Sequence, residues 1–267
     1  MRADNVYAVG DIHGCLKSLE ALIARLPDDA HIIFLGDAVN RGAHSLECLR
    51  FIRNLGERAT YILGNHEMHL LAVAAGTRVF SEKDTLQEIL DADDADDLIE
   101  WLRHLPLAYT THNTLFVHAG VHPSWDLTKT LACAKEVEDA MHRDDWKTTI
   151  FHIFGNTPPW SEELTGYPRL RAILNILART RFLHADGSIE LKCSNPPDQG
   201  DEGLIPWFDY PGRKTADIRV VCGHWSACGL ICRDNLLTLD TGCCWGQKLT
   251  AARIPDIEFY QTEGIRT

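Results

Sequence analysis

At 267 residues, with 45% hydrophobic and 24% charged side chains, the chain is long enough to bury a substantial core as one large domain. Its formal charge of −12 argues against a general nucleic-acid or membrane-surface binder, because a phosphate backbone or an anionic lipid would be repelled across most of the surface. A phosphate-bearing substrate must therefore meet a locally positive site.

Met1 to Gly14 carries no basic segment followed by a long apolar run and a cleavage site. No later stretch approaches eighteen uninterrupted apolar residues, so a cytoplasmic location is expected. Val6 to Val9 reads as a buried strand, and Leu16, Leu19, Leu22, Ile23 and Leu26 recur at helical spacing. Ile32 to Leu35 is the next strand, Leu46, Leu49, Ile52 and Leu55 mark the next helix, and Thr60 to Leu63 a third strand. This βαβαβ opening predicts parallel strands with helices packed on them. Ser81 to Trp101 is rich in Asp and Glu but keeps Leu86, Ile89, Leu90 and Leu98, a helical excursion over about 81–105 with a wet acidic face. Leu115 to Val117, Val220 to Cys222 and Leu236 to Leu239 are further strands. Between them lie a basic helix over Tyr167 to Arg181 and a loop over Asn195 to Asp201, within a helical and loop insertion at about 125–213. Nine scattered cysteines, an odd count, suit reduced thiols better than a disulfide framework. Cys222, Cys228, Cys232, Cys243 and Cys244 lack the paired CxxC spacing of a zinc site, so they read as structural thiols.

Each predicted strand runs directly into a polar residue. Asp11 and His13 follow the first in GDIHG, Asp37 the second in GDAVNRG, and Asn65 and His66 the third in GNHE; His118 and His224 end later ones in HAG and GHW. Asp11 to Asp37 and Asp37 to Asn65 are 26 and 28 residues apart, each about one strand-helix-strand step, so the ends of neighbouring parallel strands gather there. A lone Gly-Asp turn is common and a lone His is usually a satisfied one. Five such strand ends in this order are not a set of independent turns. The mixture of carboxylate, imidazole and amide suits borderline divalent ions such as manganese, iron, cobalt or zinc. Asp37 can bridge two of them, and such a pair, about 3.5–4 Å apart, lowers the pKa of a shared water and serves in-line displacement at phosphorus.

This motif series resembles that of the calcineurin-like metallophosphoesterases. The resemblance spans nearly the whole chain and implies an α/β protein, in detail a four-layer α+β β-sandwich flanked by helices, as a single domain over 1–267. It also implies one metal on Asp11, His13 and Asp37 and a second on Asp37, Asn65, His118 and His224. Many members end GHxH, whereas this chain has Ser226 at the last position, leaving room for an extra water on the first metal. The same resemblance makes His66 the general acid and Arg41 a clamp on the phosphoryl group, roles that imidazolium and guanidinium chemistry can fill.

Two activities share this metal site. Serine/threonine protein phosphatases have an Asp where this chain has Asn40; an amide can still bond His66 but brings no charge. LGNHEMHLLAVAAG, VHAGVHPSWDL, WSEELTGYPRLRAILNILARTRF, GHWSACG and LDTGCCWGQKLTAARI are similar to the symmetrical bis(5′-nucleosyl)-tetraphosphatases of bacteria. That resemblance implies hydrolysis of diadenosine tetraphosphate to two ADP with two divalent metals, manganese foremost. It extends to other dinucleoside polyphosphates and to nucleoside-tetraphosphate caps on RNA. Protein phosphatase activity stands as the alternative, and a non-catalytic metal-binding scaffold as a remote one. The tetraphosphate carries more charge than the metals and Arg41 neutralise, so Arg169, Arg171, Arg179 and Arg181 are candidate phosphate contacts. Trp125, Trp160, Trp225 and Trp245 are candidate adenine platforms. Asp240 is the expected acceptor for the free N–H of a metal-ligating His.

Overall fold

The computed structural model describes residues 5–265. The opening strands β1 (Val6–Val9), β2 (His31–Phe34) and β3 (Ala59–Tyr61), with helices α1 (Leu16–Ile23) and α2 (Ser45–Asn54) between them, follow the predicted order, and the three strands pair in parallel. α3 (Asn65–Ala74) leaves the end of β3. The acidic excursion holds two short helices, α4 (Gln87–Leu90) and α5 (Ala95–Leu102), before the hairpin of β4 (Ala108–Thr111) and β5 (Thr114–Val117). Leu98, Ile99 and Leu102 of α5 are buried while Asp96, Asp97 and Glu100 face solvent, the amphipathic division that holds an otherwise acidic helix on the core.

Three mutually packed helices follow, α6 (Leu127–Met141), α7 (Trp146–Ile153) and α8 (Gly166–Arg179). A small sheet of β6 (Phe182–Leu183), β7 (Ile189–Glu190) and β8 (Ile205–Pro206) comes next, then β9 (Arg219–Cys222), β10 (Ile231–Arg233), β11 (Leu236–Thr238), β12 (Lys248–Ile254) and β13 (Phe259–Glu263). The basic helix ends at Arg179 because Thr180 turns extended, which moves Arg181 off the helix to the edge of the small sheet.

Two five-stranded sheets make the body, in the orders β13-β12-β1-β2-β3 and β10-β11-β9-β5-β4. Because side chains alternate along a strand, each central strand serves two layers. Val6, Ala8, Ile33 and Leu35 meet Phe116, Val221, Leu237 and Leu239 between the sheets. Tyr7, Val9, Ile32 and Phe34 point the other way, to Leu19, Leu22, Leu49 and Ile52 of the covering helices. Burial on both faces explains why these strands read as unbroken apolar runs, and each large side chain so buried contributes roughly 1.5–3 kcal/mol. β5, β9 and β11 are parallel to one another, as β1, β2 and β3 are. Both sheets therefore present strand carboxyl ends, and the residues that follow them converge. No helix among the described residues is long and apolar enough to cross a membrane.

Candidate metal centre

Asp37 stands at the middle of the convergence. Its Oδ2 lies 3.8 Å from His13 Nε2, 3.9 Å from His66 Nε2 and 3.4 Å from His118 Nε2. His13 Nε2 is also 3.8 Å from Asp11 Oδ2, and Asn65 Oδ1 approaches His118 Nε2 at 3.2 Å. Two groups of potential ligand atoms share Asp37: His13, Asp37 and His66 form one, and Asp37, His118 and His224 the other. The structure thus brings together Asp11, His13, Asp37, Asn65, His118 and His224, contributed by the ends of β1, β2, β3, β5 and β9.

The backbone around these groups is built for close approach. A Cβ on Gly64 would lie 2.1 Å from the Asp37 carboxylate, and one on Gly223 would lie 2.0 Å from that of Asp11. The glycine of each motif therefore makes room for the ligand supplied by a neighbouring strand. With that room, the Asp11 carboxylate accepts from His224 N at 3.0 Å and the Asp37 carboxylate from His66 N at 2.9 Å. His13, Asp37 and His224 all take left-handed backbone angles, φ 50, 51 and 67, as do Asn40 and Arg41 at 72 and 75. Such angles are costly for residues with a Cβ and gather where function over-determines the conformation.

Glu67, quoted within GNHE but given no role there, holds the turn together. It is completely buried. Its Oε2 accepts from Asp37 N at 2.8 Å and Gly64 N at 2.9 Å, and its Oε1 from Ala38 N at 3.0 Å and Val39 N at 3.3 Å. One carboxylate thereby caps the start of α3 and clamps the loop after β2 to it.

The imidazoles are oriented by backbone carbonyls. His13 Nδ1 donates to Val39 O at 3.0 Å and His118 Nδ1 to Leu35 O at 2.6 Å, which leaves Nε2 of each facing the carboxylates. The expected Asp240 acceptor is thus replaced by main chain; the Asp240 carboxylate instead accepts from Gly242 N at 3.1 Å. Asp240 nevertheless lies in the centre, close enough for its charge to act on Asp11. Burial raises the Asp11 carboxyl well above the usual range, with Asp240 adding to the rise. For Asp37 burial acts in the same direction but is overcome by the charges of His118, His66 and His13, so it lies well below. His118, which burial alone would lower, is pushed up to about 10 by Asp37 and Asp11.

Burial pushes His224 well below the ordinary imidazole range, with Arg181 acting the same way, and its Nε2 is buried without a hydrogen-bond partner. A neutral, unpartnered ring nitrogen aimed at a carboxylate is what a metal requires of a ligand. The residues present therefore fit divalent ions bound through nitrogen and oxygen.

His66 is lowered to about 3, foremost by burial; Asp37 opposes the fall, while His13, Arg41 and His118 add to it. Its Nδ1 is buried with no partner. The bond from Asn40 to His66 that the sequence allowed is not formed: Asn40 Nδ2 donates to Asp84 Oδ1 at 2.8 Å, and its Oδ1 accepts from Arg41 N and Thr85 N. Arg41 is exposed beside the centre.

The four arginines of the basic segment part company. Arg181 sits against the centre, within the fields of Asp240, Asp37 and Asp11, and its Nε is buried without a partner. Arg179 Nη1 donates to Asn156 Oδ1 and Asn175 Oδ1. Arg169 and Arg171, expected as phosphate contacts, are engaged elsewhere, Arg169 in a two-pronged pair with Glu136 and Arg171 with the carbonyls of His152 and Thr157. The tryptophans also divide. Trp225 is buried between Phe182 and Phe208 and donates to Asn195 O, and Trp125 is buried against Trp160, under the guanidinium of Arg169. Trp125 and Trp225 thus pack the fold, whereas Trp160 is half-buried and lines a cavity beside α8. Trp245 is 53% exposed.

Comparison with known proteins agrees with this architecture. Residues 5–226 match the family model of the calcineurin-like phosphoesterases. The chain is 48% identical over 252 residues to a symmetrical bis(5′-nucleosyl)-tetraphosphatase of Burkholderia thailandensis, covering 93% of this chain and 89% of the relative. The chain belongs to the symmetrical bis(5′-nucleosyl)-tetraphosphatases. A second member, from Paraburkholderia phymatum, is 47% identical over 250 residues, covering 92% and 89% of the two chains. Among solved structures, one described as a candidate diadenosine tetraphosphatase superposes with TM-score 0.66 at 21% identity over all of this chain and 96% of its own. A serine/threonine phosphatase of Saccharomyces cerevisiae superposes with TM-score 0.59 at 14% identity, over 100% of this chain and 82% of its own. At those identities the likeness speaks for the fold that tetraphosphatases and protein phosphatases share.

Proposed function

We propose that this chain hydrolyses diadenosine tetraphosphate at its centre, giving two ADP. The observation that carries the reading is a paired ligand cluster sharing Asp37, in a chain 48% identical over 93% of its length to a symmetrical tetraphosphatase. Asp11, His13 and Asp37 would hold one divalent ion, and Asp37, Asn65, His118 and His224 the other, with manganese the proposed metal. Bound ions of this kind supply Lewis acidity and an activated water for in-line attack at phosphorus.

The remaining roles belong to side chains. Arg41, exposed beside His66, and Arg181, near Asp240, Asp37 and Asp11, meet phosphoryl oxygens. His66 Nε2 gives a proton to the departing inner phosphate, which leaves as part of ADP. In the free protein burial foremost keeps that ring neutral; the negative tetraphosphate beside it would favour the protonated form. Other dinucleoside polyphosphates and nucleoside-tetraphosphate caps on RNA present the same inner phosphates and belong to the same reading. Protein phosphatase activity is disfavoured because position 40 brings no charge to His66 and the Asn40 amide is occupied by Asp84.

Product analysis tests the reading. Manganese-loaded protein is expected to give ADP as sole early product from diadenosine tetraphosphate, to lose this in His66→Ala, and to leave a phosphoserine peptide untouched. ATP plus AMP would mean asymmetric attack. An intact dinucleotide beside a dephosphorylated peptide would overturn the proposal in favour of a protein phosphatase.

A further inference from the structure

Next to the centre, beyond Asn65, a cavity of about 490 Å³ opens between α3, the segment after it, and helices α7 and α8, within the size range of small-ligand sites. Its lining holds two guanidinium groups, Arg78 and Arg179, and no carboxylate. In a chain of net charge −12 that composition is unusual. Neither arginine has an ion pair among the described residues. Arg78 lies over the Phe154 ring, 4.9 Å from its centre. Arg179 is held from below by two neutral amides, Asn156 Oδ1 at 3.0 Å and Asn175 Oδ1 at 2.9 Å.

Two cations that face one another across a cavity with no counter-charge repel, and burial adds to the cost. Both effects pull Arg179 below its ordinary range. Arg169 of the same helix is paired with Glu136 and Arg171 is held by the carbonyls of His152 and Thr157, and neither lines the cavity. The pair at the cavity is instead fixed by an aromatic face and two amides, which orient guanidinium donors without neutralising them.

We infer that this cavity is the subsite for one nucleoside diphosphate arm of the substrate, with Arg78 and Arg179 on the phosphates outside the scissile bond and Phe154, Ile153 and Leu174 walling the nucleoside. The inference rests on the tetraphosphatase reading. Asn65 belongs to both the cavity and the centre, so an arm leaving the metals through this opening passes directly between the two arginines. The site also accounts for substrate charge that Arg41 and Arg181 leave unmatched.

The test is ADP binding to the manganese-loaded protein by calorimetry, for wild type, Arg78→Ala, Arg179→Ala and Asn156→Asp. The last variant keeps the shape and the acceptor but sets a carboxylate beside Arg179; together with the exposed Arg78 it keeps the test valid should Arg179→Ala fail to fold. Each variant is expected to weaken ADP about tenfold or more, the effect of losing one charge-assisted hydrogen bond, and to raise KM for the dinucleotide more than it lowers kcat. Wild-type ADP affinity in folded Arg78→Ala and Asn156→Asp would overturn the inference. The two readings fail separately. Arginine-dependent ADP binding without cleavage of the dinucleotide sinks only the proposed reaction, whereas cleavage with arginine-independent ADP binding sinks only the subsite.

Discussion

Glu67 concentrates in one side chain what the centre needs from its scaffold. Each of its two oxygens accepts two backbone N–H groups, from Asp37 and Gly64 and from Ala38 and Val39. In Glu67→Gln one of those oxygens becomes an NH2 donor facing two donors, whichever way the amide is turned. A buried donor left unsatisfied costs about 1–3 kcal/mol, so the substitution is expected to destabilise the protein by about 2–4 kcal/mol and to release Asp37 from its left-handed turn. Calorimetric melting together with metal analysis checks this; an unchanged melting temperature and full metal content would mean that the carboxylate is not what holds the turn. The sequence carried a usable signal for this role. Glu67 stands three residues after Gly64 at the start of a helix, the spacing at which a carboxylate reaches back to the helix N-terminus.

Between α3 and α4 the chain is anchored by a single carboxylate. Asp84 accepts from Asn40 Nδ2 at 2.8 Å and Ser81 N at 2.7 Å and meets His69 Nε2 at 2.9 Å, while Thr85 Oγ1 donates to Gly42 O. These bonds fix the segment carrying Arg78 to the loop carrying Arg41. Asp84→Ala should raise local opening by about tenfold or more, since bonds to a charged group are worth about 1.5–3 kcal/mol each. Trypsin cleavage after Arg78 or Lys83 should accelerate accordingly, with the rest of the chain intact; wild-type cleavage kinetics would show that other contacts hold the segment. At this scale the sequence was most legible where pattern is local. β1, β2, β5, β9 and β11 announced themselves as apolar runs ending in Gly-Asp, His or Asp. β12 and β13 did not, because Lys248–Ile254 mixes small and charged residues and its pairing with β1 joins positions about 240 residues apart. The fates of the arginines were hidden for the same reason, as nothing near Arg169 marks Glu136 as its partner.

Across the whole molecule, two sheets from distant parts of the chain deliver acids and imidazoles into one buried volume, and the resulting electrostatics link metal binding to pH. Without metal, Asp37 and Asp11 raise His118 to about 10 against the effect of burial, so at neutral pH it retains a proton that a metal ligand must give up. Metal binding should therefore release protons, and affinity should climb from pH 7 to 9. Stability follows the same linkage. A histidine whose folded pKa lies above its unfolded value stabilises fully below about 6.5 and progressively less as pH rises through 10, whereas a raised carboxyl starts to lose its contribution as soon as pH climbs past about 4. Asp37, shifted the opposite way, gives stability that is lost only in acid, below about 4. The lowered His66 and His224 act only below about 6.5, where the unfolded chain takes up protons that they refuse. Between pH 7 and 9 the chelated protein should thus weaken while the metal-loaded one does not, and the gap between their melting temperatures should widen. Calorimetry in buffers of different ionisation enthalpy counts the released protons. A constant gap with no proton release would mean that His118 is already deprotonated before the metals arrive, and that the field of Asp37 on it is weaker than their 3.4 Å separation implies.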